Sequence, residues 1–290
     1  SPYMMRLGSG NHMLLIYLPC FICTTLAQIN ARVTYVQIPS EIKSMNVLVN
    51  VKKYCNNYAY NTKLFNQGDT RALGDSLTKG LFLNSTTGTP GYHPYTLRLS
   101  EKFTNLYSMK IKSGAKSEKN MSIYESGING ERTTFMLHRL PLFLNSITDL
   151  KFVIILGGTN DLGSHYDTKK ILGNLIRMHK MVLQKSNIED PIYSIVVSIP
   201  PCGWNIDESV RQAVNIGLKE FAKNCSHMVA FVDSDEIFDV LKNQKKQILW
   251  SSDKVHFSDM GYDELGNVLF QTMIEFLEKK KTNSIMSNTC

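Results

Sequence analysis

Phe152-Val153-Ile154-Ile155-Leu156, followed by Gly157-Gly158-Thr159-Asn160-Asp161, is the most telling stretch of this 290-residue chain. Five consecutive apolar residues, three of them β-branched, have the composition of a strand covered on both faces, as in parallel sheets flanked by helices. The glycines and the Asn-Asp pair then break the strand where open α/β sheets carry their ligand sites, just beyond a strand's C-terminal end. Working outward, helical and strand patterns alternate as parallel strands with crossover helices require. Helices are predicted over 93–103, 132–144, 169–184, 209–222 and 259–280, and strands over 121–125, 192–199 and 229–233. Met136, Leu137 and Leu140 fall at helical spacing, as do Ile171, Leu172, Leu175, Ile176 and Met178. Pro200-Pro201 stops the strand before it. The fold class is therefore α/β.

Upstream, Gly74-Asp75-Ser76-Leu77-Thr78 sets a serine between a short apolar step and a helix start. The residues before Gly74, Gln67-Gly68-Asp69-Thr70-Arg71-Ala72-Leu73, read as only a stub of strand. Joining Ile29-Asn30-Ala31-Arg32-Val33 to Arg71 would restore a full first strand, so residues 34–70 read as an insertion, or as a retained intron. Residues 71–282 are expected to form the main domain, with 28–70 as the uncertain lead-in and 283–290 as a tail. The run from Met13 to Cys23, ending in Thr25-Leu26-Ala27, is shorter than the ~20 residues a membrane span needs and reads as a signal peptide over 13–27. On that reading residues 1–12 are a prefix and the chain is secreted; if the segment is unused, the chain is cytoplasmic.

The net charge of +7 is modest and scattered, apart from Lys245-Lys246 and Lys279-Lys280-Lys281. No Arg-rich stripe with interleaved aromatics is present, which argues against nucleic acid as a partner. Of the six cysteines, only Cys20 and Cys23 have metal-ligand spacing, and they sit in an apolar run without a second pair, so zinc is not indicated. The other cysteines could form disulfides in a secreted chain. Asn84-Ser85-Thr86, Asn120-Met121-Ser122 and Asn224-Cys225-Ser226 are glycosylation sequons, triplets too common to weigh much.

Later blocks supply what a serine nucleophile needs. Gly127-Ile128-Asn129-Gly130, Gly158-Thr159-Asn160-Asp161 and Asp253-Lys254-Val255-His256 follow Ser76 in order. His256 is the candidate general base and Asp253 the carboxylate that would fix its tautomer from three residues away. The oxyanion donors would be the backbone N–H groups of Ser76 and Gly130 with the Asn160 side-chain amide. Taken singly, each block could be a turn, a helix cap or a solvated loop. Their joint order after successive strands favours catalysis. His93, His138, His165, His179 and His227 lack such context and read as surface or packing residues, and Asp233 reads as a helix cap. Tyr92, Tyr95 and Trp204 are candidates for a cleft wall or for the core.

The four blocks resemble those of the SGNH hydrolases, the GDSL esterase and lipase superfamily, from about residue 71 to the end. The resemblance implies a flavodoxin-like three-layer α/β/α sandwich with a mainly five-stranded parallel sheet, Ser76 as nucleophile, Gly130 and Asn160 as the second- and third-block donors, and Asp253 and His256 as the last-block pair. Phe257 stands where many relatives carry proline or leucine. The resemblance also implies hydrolysis of small-molecule esters, acetylated carbohydrates or lipids; no cofactor is expected, and the residues themselves offer no metal-ligand cluster and no apolar run long enough for a stable membrane span. A non-catalytic module binding carbohydrate or protein on the same fold remains the alternative. The presence of both Ser76 and His256 favours the enzyme, since binding alone needs neither.

Overall fold

The computed structural model describes residues 70–84, 86–112, 121–146, 149–187, 191–238 and 244–282. The proposed signal segment over 13–27, the insertion up to residue 69 and the tail over 283–290 lie outside them. In chain order the elements are β1 (Thr70–Gly74), α1 (Ser76–Lys79), β2 (Leu81–Leu83), β3 (Pro90–Tyr92), α2 (Tyr95–Lys112), β4 (Ile123–Gly127), α3 (Thr133–Asn145), β5 (Phe152–Leu156), α4 (Thr159–Gly163), α5 (Thr168–Lys185), β6 (Tyr193–Val197), α6 (Glu208–Asn224), β7 (Val229–Val232), α7 (Ser234–Phe238), a 3-10 turn (Gln244–Leu249) and α8 (Asp259–Thr282).

Five strands form one parallel sheet in the order β4-β1-β5-β6-β7. Counting these five alone, the order is 2-1-3-4-5, the flavodoxin-like arrangement whose order reverses beside β1. Strand alternation assigns the two faces. Leu73, Val153, Ile155 and Val196 pack with Met136 and Leu140 of α3, Leu175 and Met178 of α5, and Val214 and Leu218 of α6. Ala72, Phe152, Ile154, Leu156 and Ile195 point the other way, onto Leu99 of α2 and Tyr262, Leu265 and Leu269 of α8. The sheet is therefore the middle of three layers, as expected.

The first strand is not a stub. Thr70 through Gly74 pair with β4 on one side and β5 on the other, and all five residues are buried, so this short run is the central strand of the order reversal. Its Thr-Arg-Ala opening hides it from a count of apolar residues. Arg71 explains part of this, being 1% exposed with its guanidinium 4.2 Å over the Tyr124 ring. The strand includes Thr70, which the sequence pattern left with the insertion.

Other boundaries shift for local reasons. Helix α2 begins at Tyr95 rather than 93, because Pro94 disfavours helical geometry at His93. It also continues to Lys112, nine residues beyond the predicted end at 103. Strand β4 runs to Gly127, two residues beyond the predicted end, since its register is pinned by Gly127 opposite Gly74. The β2–β3 hairpin and the one-turn helices α1, α4 and α7 are too short to register as periodicity. Cys202 and Cys225 are free thiols, and the other four cysteines lie outside the described residues. Among the described residues no helix is long and apolar enough to cross a membrane, and no group of three metal-ligating side chains occurs.

Candidate functional site

Register brings the separated blocks together. Gly74 is level with both Gly127 and Leu156, so the loops that leave β1, β4 and β5 start side by side at the C-terminal edge. Ser76 lies two residues past that line, Gly130 three and Asn160 four.

The first loop is held by Asp75, which caps α1 by accepting the Leu77 N–H at 2.9 Å. Two glycines make room for it. A side chain on Gly74 would strike the Thr78 hydroxyl and the Leu156 carbonyl, and one on Gly127 would strike the Lys79 amide and the Asp75 carbonyl. Gly127 is thus a close-approach glycine rather than an ordinary turn residue. Gly130 differs. It has φ +73° and an added Cβ would meet nothing within 4 Å, so backbone conformation, not crowding, calls for glycine there.

The last block is a closed loop. Ser251 N–H donates to the His256 carbonyl at 2.9 Å and Lys254 N–H to the Ser251 carbonyl at 3.0 Å, with Lys254 at φ +56°. Asp253 Oδ1 accepts the backbone N–H groups of Val255 and His256, both at 3.0 Å. Its Oδ2 lies 2.7 Å from His256 Nδ1. The three-residue spacing works because one carboxylate holds both the backbone turn and the imidazole. Burial of Asp253 favours its neutral form, but the hydrogen bonds from the His256 ring and the two N–H groups outweigh it, and its pKa is lowered. An ionised Asp253 can only accept, which puts the imidazole proton on Nδ1 and leaves Nε2 as an acceptor. That Nε2 is 2.9 Å from Ser76 Oγ. Asp253, His256 and Ser76 therefore form one continuous hydrogen-bonded line that joins two loops.

Asn160 sits one residue inside α4, whose N-cap Gly158 has φ +113°. Its Nδ2 donates to Asp75 Oδ2 at 3.2 Å and to the Glu131 carbonyl at 3.1 Å. Both bonds are long, and an oxyanion arriving here would compete for one of those protons. Behind it lies a polar cluster that sequence reasoning missed. Arg139 reaches from α3 to clasp both Glu131 oxygens through Nε, at 2.8 and 2.9 Å, and its Nη2 donates to the carbonyls of Gly74 and Ser126 at 3.0 and 2.7 Å. Asp161 accepts from Thr133 N–H at 2.8 Å and Thr133 Oγ1 at 2.6 Å. Burial raises the pKa of Glu131 and of Asp161 against these bonds. Asp75 is raised to about 7, first by burial and then by the fields of Glu131 and Asp161, while the bonds from Leu77 N–H and Asn160 oppose the rise. Asp75 stood in the quoted first block, but nothing local to Arg139 marks its role.

Beside Gly130 and Asn160 opens a cleft of about 310 Å³, whose far wall includes Trp204 and Arg132. Of the other aromatics considered, Tyr95 is buried against Thr78 at 3.2 Å, while exposed Tyr92 accepts from Asn129 Nδ2 at 3.1 Å. His179 is a core residue 2.7 Å from the Ser194 hydroxyl, where burial pushes its pKa down to about 3, and His93 bridges to Asp263 at 2.8 Å. Asp233 accepts the Asp235 N–H at the start of α7, as a cap does.

Known structures share this architecture. The native aryl esterase of M. smegmatis is 17% identical with a TM-score of 0.54, covering 72% of this chain and 100% of that one. A lipase/acylhydrolase from Enterococcus faecalis is 16% identical, TM-score 0.53, over 71% of this chain and 94% of its own. A GDSL-like lipase from Bacteroides thetaiotaomicron is 18% identical, TM-score 0.51, over 76% and 97%. At these identities the likeness is one of fold. No match is found among curated proteins. The family model for GDSL-like lipases and acylhydrolases matches residues 72–264, more than half of the chain and all four blocks. The chain belongs to the GDSL-like lipase/acylhydrolase family.

Proposed function

We propose that this chain is a serine hydrolase of carboxylic esters working through an acyl-enzyme, with Ser76 as nucleophile, His256 as general base and acid, and Asp253 as the group that orients and charge-balances the imidazole. The observation that carries this reading is the line from Asp253 Oδ2 to His256 Nδ1 at 2.7 Å and from His256 Nε2 to Ser76 Oγ at 2.9 Å. Ser76 Oγ attacks the ester carbonyl as Nε2 takes its proton. The C–O bond to the alcohol then breaks, and the imidazolium returns that proton to the departing alkoxide. Water repeats the sequence on the acyl-serine, giving the free acid and restoring Ser76. The oxyanion would be held by the N–H groups of Ser76 and Gly130 and by Asn160 Nδ2, each such donor worth roughly a hundredfold to a thousandfold in kcat.

The test is hydrolysis of 4-nitrophenyl esters by the chain beside its Ser76→Ala variant. Turnover by the parent that vanishes in the variant is the expected result; equal turnover in both, or none in either, overturns the assignment.

A further inference from the structure

The cleft beside Gly130 and Asn160 has a composition that selects among esters. Its one aromatic wall is Trp204, 44% exposed. The indole lies against α4 at Gly163, where an added Cβ would come within 2.9 Å of two ring carbons. One part of the ring is therefore fixed on backbone while the rest remains open to the cleft. A flat, immobilised, half-exposed indole is a stacking surface for the C–H face of a ring bearing hydroxyl groups.

Ser164, His165 and Asn205 complete the wall, and no aliphatic side chain lines it among the described residues. A long acyl chain would find no apolar burial there, whereas a polyhydroxylated alcohol would find donors and acceptors. No carboxylate lines the cleft either. Arg132 does, with its Nη1 donating to the Tyr166 hydroxyl at 2.7 Å and its guanidinium 5.3 Å from the Tyr166 ring and 5.5 Å from that of Phe135. Among the described residues no acid lies within ion-pair distance of it. Asp161, the acid whose field it feels, is committed to Thr133. Arg132 is thus a cation positioned by aromatic neighbours, with donors to spare.

Resting on the ester-hydrolase reading of the same site, we propose that the alcohol half of the substrate is a carboxylate-bearing saccharide, its ring stacked on Trp204 and its carboxylate held by Arg132. Hydrolysis then consumes water and releases the free sugar hydroxyl and the carboxylic acid. Arg132 and Trp204 are specificity-determining residues in this reading, and neither takes part in the proton transfers.

The experiment compares kcat/KM for the O-acetylated methyl glycoside of glucuronic acid with that for the glucose counterpart acetylated at the same position. The parent chain is expected to prefer the acidic sugar by roughly tenfold to a hundredfold, the range of one charge-assisted hydrogen bond. Arg132→Gln should bring the ratio to about one, Arg132→Lys should retain part of it, and Trp204→Ala should raise KM for both sugars. No preference in the parent, or a preference that survives Arg132→Gln, overturns the inference. Binding of the same two sugars to Ser76→Ala, by calorimetry, reads recognition without turnover. Hydrolysis of 4-nitrophenyl acetate with no sugar preference sinks this inference and leaves the hydrolase reading standing. A chain that hydrolyses no ester, yet binds the acidic sugar in an Arg132-dependent way, sinks the hydrolase reading and leaves this recognition standing.

Discussion

Asp75→Asn tests how the buried polar cluster links stability to the site. In the folded chain Asp75 is buried and its pKa is about 7, against 3.8 for the free side chain. A folded-state pKa raised in this way means that the native state keeps a proton the unfolded chain has released. The corresponding stability is fully present below about pH 4 and is lost as pH rises through 7. At about 1.4 kcal/mol per pH unit, the two units from pH 5 to 7 remove about 3 kcal/mol from this one group. Asparagine at position 75 cannot titrate, so that slope disappears. Its amide oxygen can still accept the Leu77 N–H, but an NH2 group then faces the Asn160 NH2 in place of Oδ2. The expected result from urea unfolding followed by circular dichroism is a variant that gains on the parent by about 3 kcal/mol between pH 5 and pH 8, with a lowered kcat at every pH because Asn160 has lost a partner. Parallel stability curves for the two proteins would refute the reasoning, since Glu131 and Asp161 are present in both and cannot supply the difference.

Four further substitutions address the site and its frame. His256→Ala should abolish hydrolysis of 4-nitrophenyl esters while circular dichroism stays native, because the side chain lies at the loop edge rather than in the core. Asp253→Asn should lower kcat by about 10³–10⁴, the cost of losing the correct imidazole tautomer, and a milder loss would show that the 2.7 Å bond does not set it. Asn160→Ala should reduce kcat by about a hundredfold or more with KM little changed, because its contact to substrate forms with the oxyanion; a change confined to KM would contradict that. Gly127→Ala should cost roughly 1–3 kcal/mol in chemical denaturation and also reduce turnover, because the Asp75 carbonyl and α1 must move and Ser76 moves with them. An active, equally stable alanine variant would show that the close approach is not required.

The parts of this molecule that were legible in the sequence are those with strong local patterns. The run over 152–156 is buried because it is apolar throughout, and the helix α5 carries Ile171, Leu175, Met178 and Val182 at helical spacing and buries all four. The Asp253 and His256 pair was legible because a carboxylate three residues before a histidine can close its own turn. The first strand was misread because an arginine and a threonine occupy buried positions in it, and their burial depends on neighbours, not on hydropathy. Arg139 was invisible for a similar reason. It lies eight residues from Glu131 and is meaningful only once α3 folds back over the strand ends. The glycine at 130 was legible, but its reason was not, since only the backbone angle separates a strained position from a crowded one.

Fold and site meet in that clasp. A parallel sheet leaves the carbonyls at its C-terminal edge without ladder partners, and each needs a donor if it is buried. Here Arg139 satisfies Gly74 of β1 and Ser126 of β4 with the same nitrogen, and its charge is balanced by Glu131, the residue after Gly130. Glu131 in turn offers its carbonyl to Asn160, which donates also to Asp75, the residue before Ser76. Three loops that diverge in sequence are thus cross-linked by one partly buried cation and one amide. Removing Arg139 would leave the Glu131 carboxylate unpaired, a penalty of roughly 1–3 kcal/mol, and take a donor from the Ser126 and Gly74 carbonyls, the latter keeping only the Ile128 N–H at 3.1 Å. It would also free the backbone at Gly130. Arg139→Met, which keeps much of the side-chain length, should therefore lose stability and ester turnover together, while Arg139→Lys, with a single nitrogen for three acceptors, should fall between. Retention of full activity in Arg139→Met would mean that the strand ends hold the site without the clasp.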